Sequence, residues 1–148
     1  MELKIKVLSE NAVIPTYAYN GDAAVDLTAT SHKFEDINGQ WVHSYGTGLA
    51  IQIPEGHVGL LLPRSSVYKT PFLLSNSLGC LDSNYLGEVF FKFKPLPVNG
   101  DGEDLQMYKV GDRIGQLLVV PIPKLTFKVV DELTPSERGT GGFGSSGS

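Results

Sequence analysis

Cysteine is nearly absent from this chain: Cys80 is the only one. No intrachain disulfide can form, and a thiolate metal cluster has no basis. Long apolar runs are missing as well, none nearing the ~18 residues that suggest a membrane span. The first residues, Met1-Glu2-Leu3-Lys4-Ile5-Lys6, alternate polar and apolar and do not read as a signal peptide. The expected setting is therefore soluble, reducing and intracellular, the cytoplasm by default, with no membrane partner. Arginine is scarce, with only Arg64, Arg113 and Arg138, and the net charge is −4. A chain without a basic face is not expected to bind a nucleic-acid backbone stably. Sustained helical periodicity is also lacking.

What is present is a chain of 148 residues, a length that suits one domain with its own core. Leu3, Ile5 and Val7 alternate with polar residues as a half-buried strand does. Further strand-like runs lie at residues 23–29, 48–53, 56–62, 88–93, 114–120 and 125–130. Turn signals separate them: Asn20-Gly21, Asn38-Gly39, Pro54-Glu55-Gly56, Asn99-Gly100 and Val110-Gly111-Asp112. At most one helical turn is expected, at residues 65–69. Many short strands with regular turns predict an all-β sandwich, jelly roll or barrel. Residues 95–108 read as a polar loop; the acidic run at 99–104 lacks the ligand spacing of an EF-hand.

Three strings carry residue types able to do chemistry. Pro63-Arg64-Ser65-Ser66 follows an apolar strand, so a guanidinium, two hydroxyls and backbone N–H groups could hold an anion. Alone, the string equally fits a capped turn with a salt bridge. In residues 79–88 a hairpin tip carries Asp82, placed as a general base would be, and Tyr85, able to lie against a sugar. An Asx-type turn with a half-buried tyrosine explains the same string. Asp26 lies inside the apolar run Ala23-Ala24-Val25-Asp26-Leu27, where a charge needs an ion pair or a metal-water contact. His32 and His43 fall in polar stretches and His57 in a turn, so no Ser–His triad is expected. The glycine-rich tail from Arg138 to Ser148 fits a loose terminus, a linker scar or a phosphate-cradling loop.

In order, these blocks resemble the five motifs of the homotrimeric dUTPase family. The matching stretches are residues 23–27, 63–66, 79–87, 111–117 (Gly111-Asp112-Arg113-Ile114-Gly115-Gln116-Leu117) and 138–147. Each string is weak alone, but five in sequence span nearly the whole chain. The resemblance implies a jelly-roll-like β-domain at residues 1–137 and an arm at 138–148 closing over a neighbouring subunit's site. It implies Mg2+-assisted hydrolysis of dUTP to dUMP and pyrophosphate, supplying the dTMP precursor and keeping uracil out of DNA. Asp82 would activate water for attack on the α-phosphorus. Asn76, with the backbone of Cys80, Leu81 and Phe90, would hydrogen-bond uracil, and Tyr85 would pack beneath the deoxyribose. Arg64, Ser65, Ser66 and Gln116 would hold phosphates or neighbouring groups, and Asp26 would touch waters around a Mg2+ held mainly by the triphosphate. Arg138 would pair with the γ-phosphate and Phe143 would cap uracil, with Gly142, Gly144 and Ser145 adding substrate contacts. The partners implied are dUTP and two further copies in a homotrimer with shared sites; nothing identifies a regulatory protein partner. Ala24, Asn84, Leu86 and Gly115 depart from the residues usual in the family. A dCTP deaminase of the same fold and a regulatory protein on the same scaffold are the alternatives; no glutamate is placed for deamination.

Overall fold

The computed structural model describes residues 1–97 and 105–142. Nine strands form it: β1 (Lys4–Val7), β2 (Val25–Thr28), β3 (Ser31–Ile37), β4 (Gln40–Gln52), β5 (His57–Leu62), β6 (Phe72–Leu74), β7 (Gly79–Leu81), β8 (Glu88–Pro95) and β9 (Arg113–Pro121). The one helical element among the described residues is a 3-10 turn at Ser65–Lys69, where the sequence allows a single turn. One sheet runs β1-β4-β8-β6, with β3 also paired to the long β4; the other runs β2-β9-β5-β7. All pairings among the described residues are antiparallel. The expected all-β architecture is thus observed. No helix among the described residues is long and apolar enough to cross a membrane.

The sheets pack face to face because alternate residues on each are apolar. Tyr45, Leu49, Ile51, Phe72, Phe91 and Phe93 from the first sheet meet Leu27, Leu61, Leu81, Ile114 and Leu117 from the second. On the second sheet's opposite face Val58, Leu60, Leu118 and Val120 remain only half-buried. An aromatic group anchors the chain leading into β9: Phe93 and Tyr108 have ring centroids 5.6 Å apart, and the Tyr45 hydroxyl donates to the Tyr108 carbonyl at 2.9 Å. Burial, with smaller contributions from Asp112 and Tyr108, pushes the Tyr45 phenol up to about 12, so it stays a donor at neutral pH.

Two features of β4 lay beyond the periodicity signal. The strand begins at Gln40, because the Asn38-Gly39 turn closes a β3–β4 hairpin with both turn residues at positive φ (54° and 81°). The register then shifts between Gly46 and Ala50. Gly48 sits at this irregularity with φ +67°, and a Cβ there would lie 2.8 Å from Ser9 Cβ. Its N–H donates to Glu88 Oε1 at 2.8 Å and its carbonyl accepts from Leu8 N–H, so the bend is tied on both sides.

The strand expected at residues 125–130 is not present. The chain there forms no ladder, and Leu125, Phe127 and Val129 are 66%, 92% and 97% exposed. The alternation is real, but a strand exists only against another strand's N–H and C=O groups, and no edge among the described residues pairs with it. The acidic run at 99–104 lies outside the described residues.

Candidate active site

Sheet register brings three of the motif stretches together. Asp26 on β2 is directly opposite Gln116 on β9, and Gln116 is opposite Leu62, the last residue of β5. Arg64 follows two residues after Leu62, so its side chain reaches the same row. Arg64 Nε donates to Asp26 Oδ1 at 3.1 Å, Gln116 Nε2 donates to the same oxygen at 3.2 Å, and Arg113 Nη1 donates to Oδ2 at 3.1 Å. The Asp26 side chain is 18% exposed, so the charge that looked costly within an apolar strand is held by two guanidinium groups and an amide. Arg64 also reaches 3.5 Å from Ser66 Oγ. Ser65 beside it is exposed.

Arg113 was not among the candidate residues, although its place in the fourth motif and the scarcity of arginine both marked it. A carboxylate offers about four lone-pair sites, and the three donors leave Asp26 with one free, on Oδ2. That set suits a single water contact and not direct coordination of a metal. Among the described residues no group of three or more His, Cys, Asp or Glu side chains could hold an ion.

A second region forms at the other edge of the sheet. A cavity of about 310 Å3 is lined by Leu61, Ser75, Asn76, Gly79 and Phe90, among others. Asn76 and Phe90 are therefore brought together as expected. Ser75 was missed; its hydroxyl is buried with no hydrogen-bond partner, and no sequence signal sets it apart from a turn serine. The Cys80 side chain is exposed, Leu81 is buried, and Asp82 is exposed at the start of a turn closed by Tyr85 N–H to the Asp82 carbonyl at 3.1 Å. The Tyr85 hydroxyl donates to the Glu88 carbonyl at 2.7 Å, which fixes a ring that is otherwise 43% exposed.

The cavity adjoins the row of Asp26, Gln116 and Arg64 at Leu61 and Leu62, but Asp82 lies apart from that row along β5. Leu81 pairs with Gly59 and Gly79 with Leu61, so β7 runs away from the Arg64 end of β5. Asp82 lies one residue past Leu81, level with Val58. At ~3.3 Å per strand residue, the span from Val58 to Leu62 alone is about 13 Å. A general base must sit within hydrogen-bond reach of its water, about 3 Å. Asp82 is therefore set well back along β5 from Arg64 and Gln116 of the same chain. Arg138 is not brought to either region: its Nε donates to the Gly141 carbonyl at 2.8 Å, inside the arm itself. Gly142 is exposed, and Phe143, Gly144 and Ser145 lie outside the described residues.

Gly115, where the family usually has alanine, has a local explanation. A Cβ at this position would collide with the Phe91 ring, which packs across from the other sheet. The smaller residue and the larger ring compensate each other.

Comparison with known proteins agrees with this geometry. A family model described as dUTPase matches residues 10–147. The deoxyuridine 5'-triphosphate nucleotidohydrolase of Leifsonia xyli subsp. xyli is 38% identical over 135 residues, covering 90% of this chain and 85% of that one. The dUTPase of Staphylococcus bacteriophage 80alpha, a point mutant solved with dUpNHpp, superposes with a TM-score of 0.83 at 30% identity, covering 99% of both chains. A point mutant of the dUTPase from phage phi11 of S. aureus, described with a structural Mg(II) ion, gives 0.73 at 30% identity, covering 89% and 98%. With its motifs in order and three of them joined at Asp26, the chain belongs to the dUTPase family.

Proposed function

We infer that this protein is a dUTP diphosphatase, hydrolysing dUTP to dUMP and pyrophosphate. The observation that carries the reading is the Asp26 junction, where Arg64 from one motif and Arg113 and Gln116 from another converge on the carboxylate of a third. A triphosphate needs positioning and charge stabilisation more than covalent help. Arg64, Ser65, Ser66 and Gln116 supply donors for its oxygens, and Asp26 holds two of those side chains in fixed rotamers. Asp82 takes the proton of a water attacking the α-phosphorus. The bond from that phosphorus to the bridging oxygen breaks, and the electron pair leaves with pyrophosphate. Asn76 and the backbone of Cys80, Leu81 and Phe90 read the uracil edge in the cavity beside β7, where the unpaired Ser75 hydroxyl adds a further donor or acceptor. Site groups that lose their partner when the wrong base enters discriminate by ~10⁴–10⁵. Tyr85, braced on Glu88, lies beneath the deoxyribose, where it leaves no room for a 2′-hydroxyl. Arg138 pairs with the γ-phosphate, and Gly142, Phe143, Gly144 and Ser145 belong to the covering arm.

Mg2+ is the cofactor that fits this donor set. Carried on the triphosphate, it supplies charge neutralisation to the phosphate oxygens. Asp26 would offer its remaining acceptor on Oδ2 to a water of that ion.

The working unit is a homotrimer with shared sites. Support comes from the separation of Asp82 and Arg64 along β5, which a second copy removes by offering its own Asp82 hairpin to this chain's phosphate row. The bare alternation Leu125, Phe127, Val129 supplies an edge strand for a neighbouring copy, and Val58, Leu60, Leu118 and Val120 supply an aliphatic face.

Pyrophosphate release from dUTP and each of the four common dNTPs, with and without Mg2+, tests the reading. Release from dUTP alone, stimulated by Mg2+, is the expected result. Conversion of dCTP to dUTP, or no release from dUTP, would sink it. Analytical ultracentrifugation tests the assembly, with a single species of three chains expected.

A further inference from the structure

The irregular stretch of β4 lies against the start of β8, just past the hairpin tip that carries Asp82 and Tyr85. Gly46 pairs with Phe90 and Ala50 with Glu88, so three β4 residues, 47–49, stand opposite Val89 alone. A bulge of that size interrupts the ladder where β8 begins. Side chains take the ladder's place. The fully buried Thr47 hydroxyl donates to the Val89 carbonyl at 2.9 Å. Glu88 Oε1 accepts the Gly48 N–H at 2.8 Å. A Cβ at Gly46 would lie 2.5 Å from that same oxygen, so the socket for the carboxylate exists only because residue 46 is glycine. Glu88 is half-buried and makes no ion pair among the described residues; its side chain is tied to the bulge instead.

The main chain of the same residue holds Tyr85. The Tyr85 hydroxyl donates to the Glu88 carbonyl at 2.7 Å. Its ring lies across Gly87, where a Cβ would come within 2.7 Å of the hydroxyl oxygen and 2.8 Å of ring carbon Cζ. Tyr85 is exposed, so these contacts and not core packing set the ring's position. Two bonds in series therefore run from the β4 bulge to the phenol: Gly48 N–H to the Glu88 carboxylate, and the Glu88 carbonyl to the Tyr85 hydroxyl. A side chain that must reject one added hydroxyl has to keep its place to within about 0.5 Å.

We propose that Glu88 is a positioning residue for sugar selection, its carboxylate anchoring the start of β8 to the β4 bulge so that its carbonyl keeps Tyr85 where a 2′-hydroxyl would stand. The proposal rests on the dUTP reading, in which Tyr85 excludes the ribonucleotide. Glu88 acts through the tyrosine. Without the anchor the ring gives way, which admits UTP more than it harms dUTP. A residue that merely supported the strand would lower both turnovers alike.

Steady-state hydrolysis of dUTP and UTP by the full chain tests this on wild type, Glu88→Ala, Glu88→Gln, Tyr85→Phe and the double variant Glu88→Ala with Tyr85→Phe. The kcat/KM ratio of dUTP to UTP is expected to fall about tenfold in Glu88→Ala, the equivalent of one hydrogen bond. Glu88→Gln keeps an acceptor oxygen for Gly48 and should restore the wild-type ratio. Glu88→Asp, still charged but one methylene short of Gly48, should fall with Glu88→Ala and replaces it if that variant does not fold. The double variant should fall no further than Tyr85→Phe, because both changes break the same series of bonds. A ratio unmoved in Glu88→Ala, a Glu88→Gln no better than Glu88→Ala, or additive losses in the double variant each overturn the proposal. A readout free of turnover separates it from the dUTP reading. In protein labelled with 3-fluorotyrosine, the 19F line missing from Tyr85→Phe belongs to Tyr85; it should shift in Glu88→Ala and stay in place in Glu88→Gln. A line unmoved in Glu88→Ala overturns the positioning role. If the line shifts as expected while wild type hydrolyses neither nucleotide, the dUTP reading falls and the anchoring of Tyr85 stands.

Discussion

Asp26 illustrates how one residue can be read two ways and end as neither alone. A carboxylate with two arginines and a glutamine on it is a positioning device first, with one lone pair on Oδ2 left over. Asp82, by contrast, is exposed and carries no ion pair among the described residues, which leaves it available to take a proton. Asp82→Asn is expected to lower kcat by roughly 10²–10⁴ with KM little changed; near-normal turnover would remove it from the base role. Gly115→Ala should destabilise the fold by about 1–3 kcal/mol, because the new methyl meets the Phe91 ring. Denaturant titration reads that loss, and adding Phe91→Leu should recover part of it. His43 gives a pH signature. It is buried in the β3–β4 hairpin, its Nδ1 lies 2.9 Å from His32 Nε2, and Phe34, Tyr45 and Phe72 surround it. Burial first, and the charge of His32 second, hold its pKa below the ordinary 6.5. The folded state then binds fewer protons than the unfolded one, so this stability is present above pH 6.5 and lost as pH falls through the folded value. Tm should therefore drop between pH 7.5 and 5.5, and His43→Phe should lessen the drop.

The arm and the segment before it belong to the scale of elements. β9 ends at Pro121, and no described residue beyond it joins a sheet. A chain ending before Arg138 should fold and assemble normally while losing most dUTP turnover; calorimetry, ultracentrifugation and the pyrophosphate assay separate these. Full activity after truncation would reduce the arm to a tail. The alternation of β1 and the apolar, β-type runs of β5, β8 and β9 were legible in the sequence, as were the turn at Asn38-Gly39 and the helical turn after Pro63. β3, β6 and β7 were not, because a largely polar strand such as β3 and three-residue strands such as β6 and β7 owe their existence to the strand beside them and not to their own pattern. Residues 125–130 failed in the opposite sense, carrying the pattern without an edge. At the site, the motifs singled out Asp26, Arg64 and Gln116 for separate roles, and the register brings the three side chains together. They could not reveal that Arg113 completes the junction or that Ser75 and Tyr108 hold unpaired hydroxyls, since these depend on register and packing.

For the molecule as a whole, complementation is the direct test of shared sites. Asp82→Asn protein and protein ending before Arg138 each lack one component. Mixed under conditions of proven subunit exchange, they should recover part of the wild-type activity; no recovery would contradict a site built across chains. The opposed ends of β5 carry a further consequence. A catalyst whose base and phosphate grip sit on different chains has no activity as a lone polypeptide, so its output tracks its own abundance more steeply than linearly. If the proposed sharing of sites holds, specific activity is expected to fall on dilution, and one defective allele would silence more sites than its share of the chains.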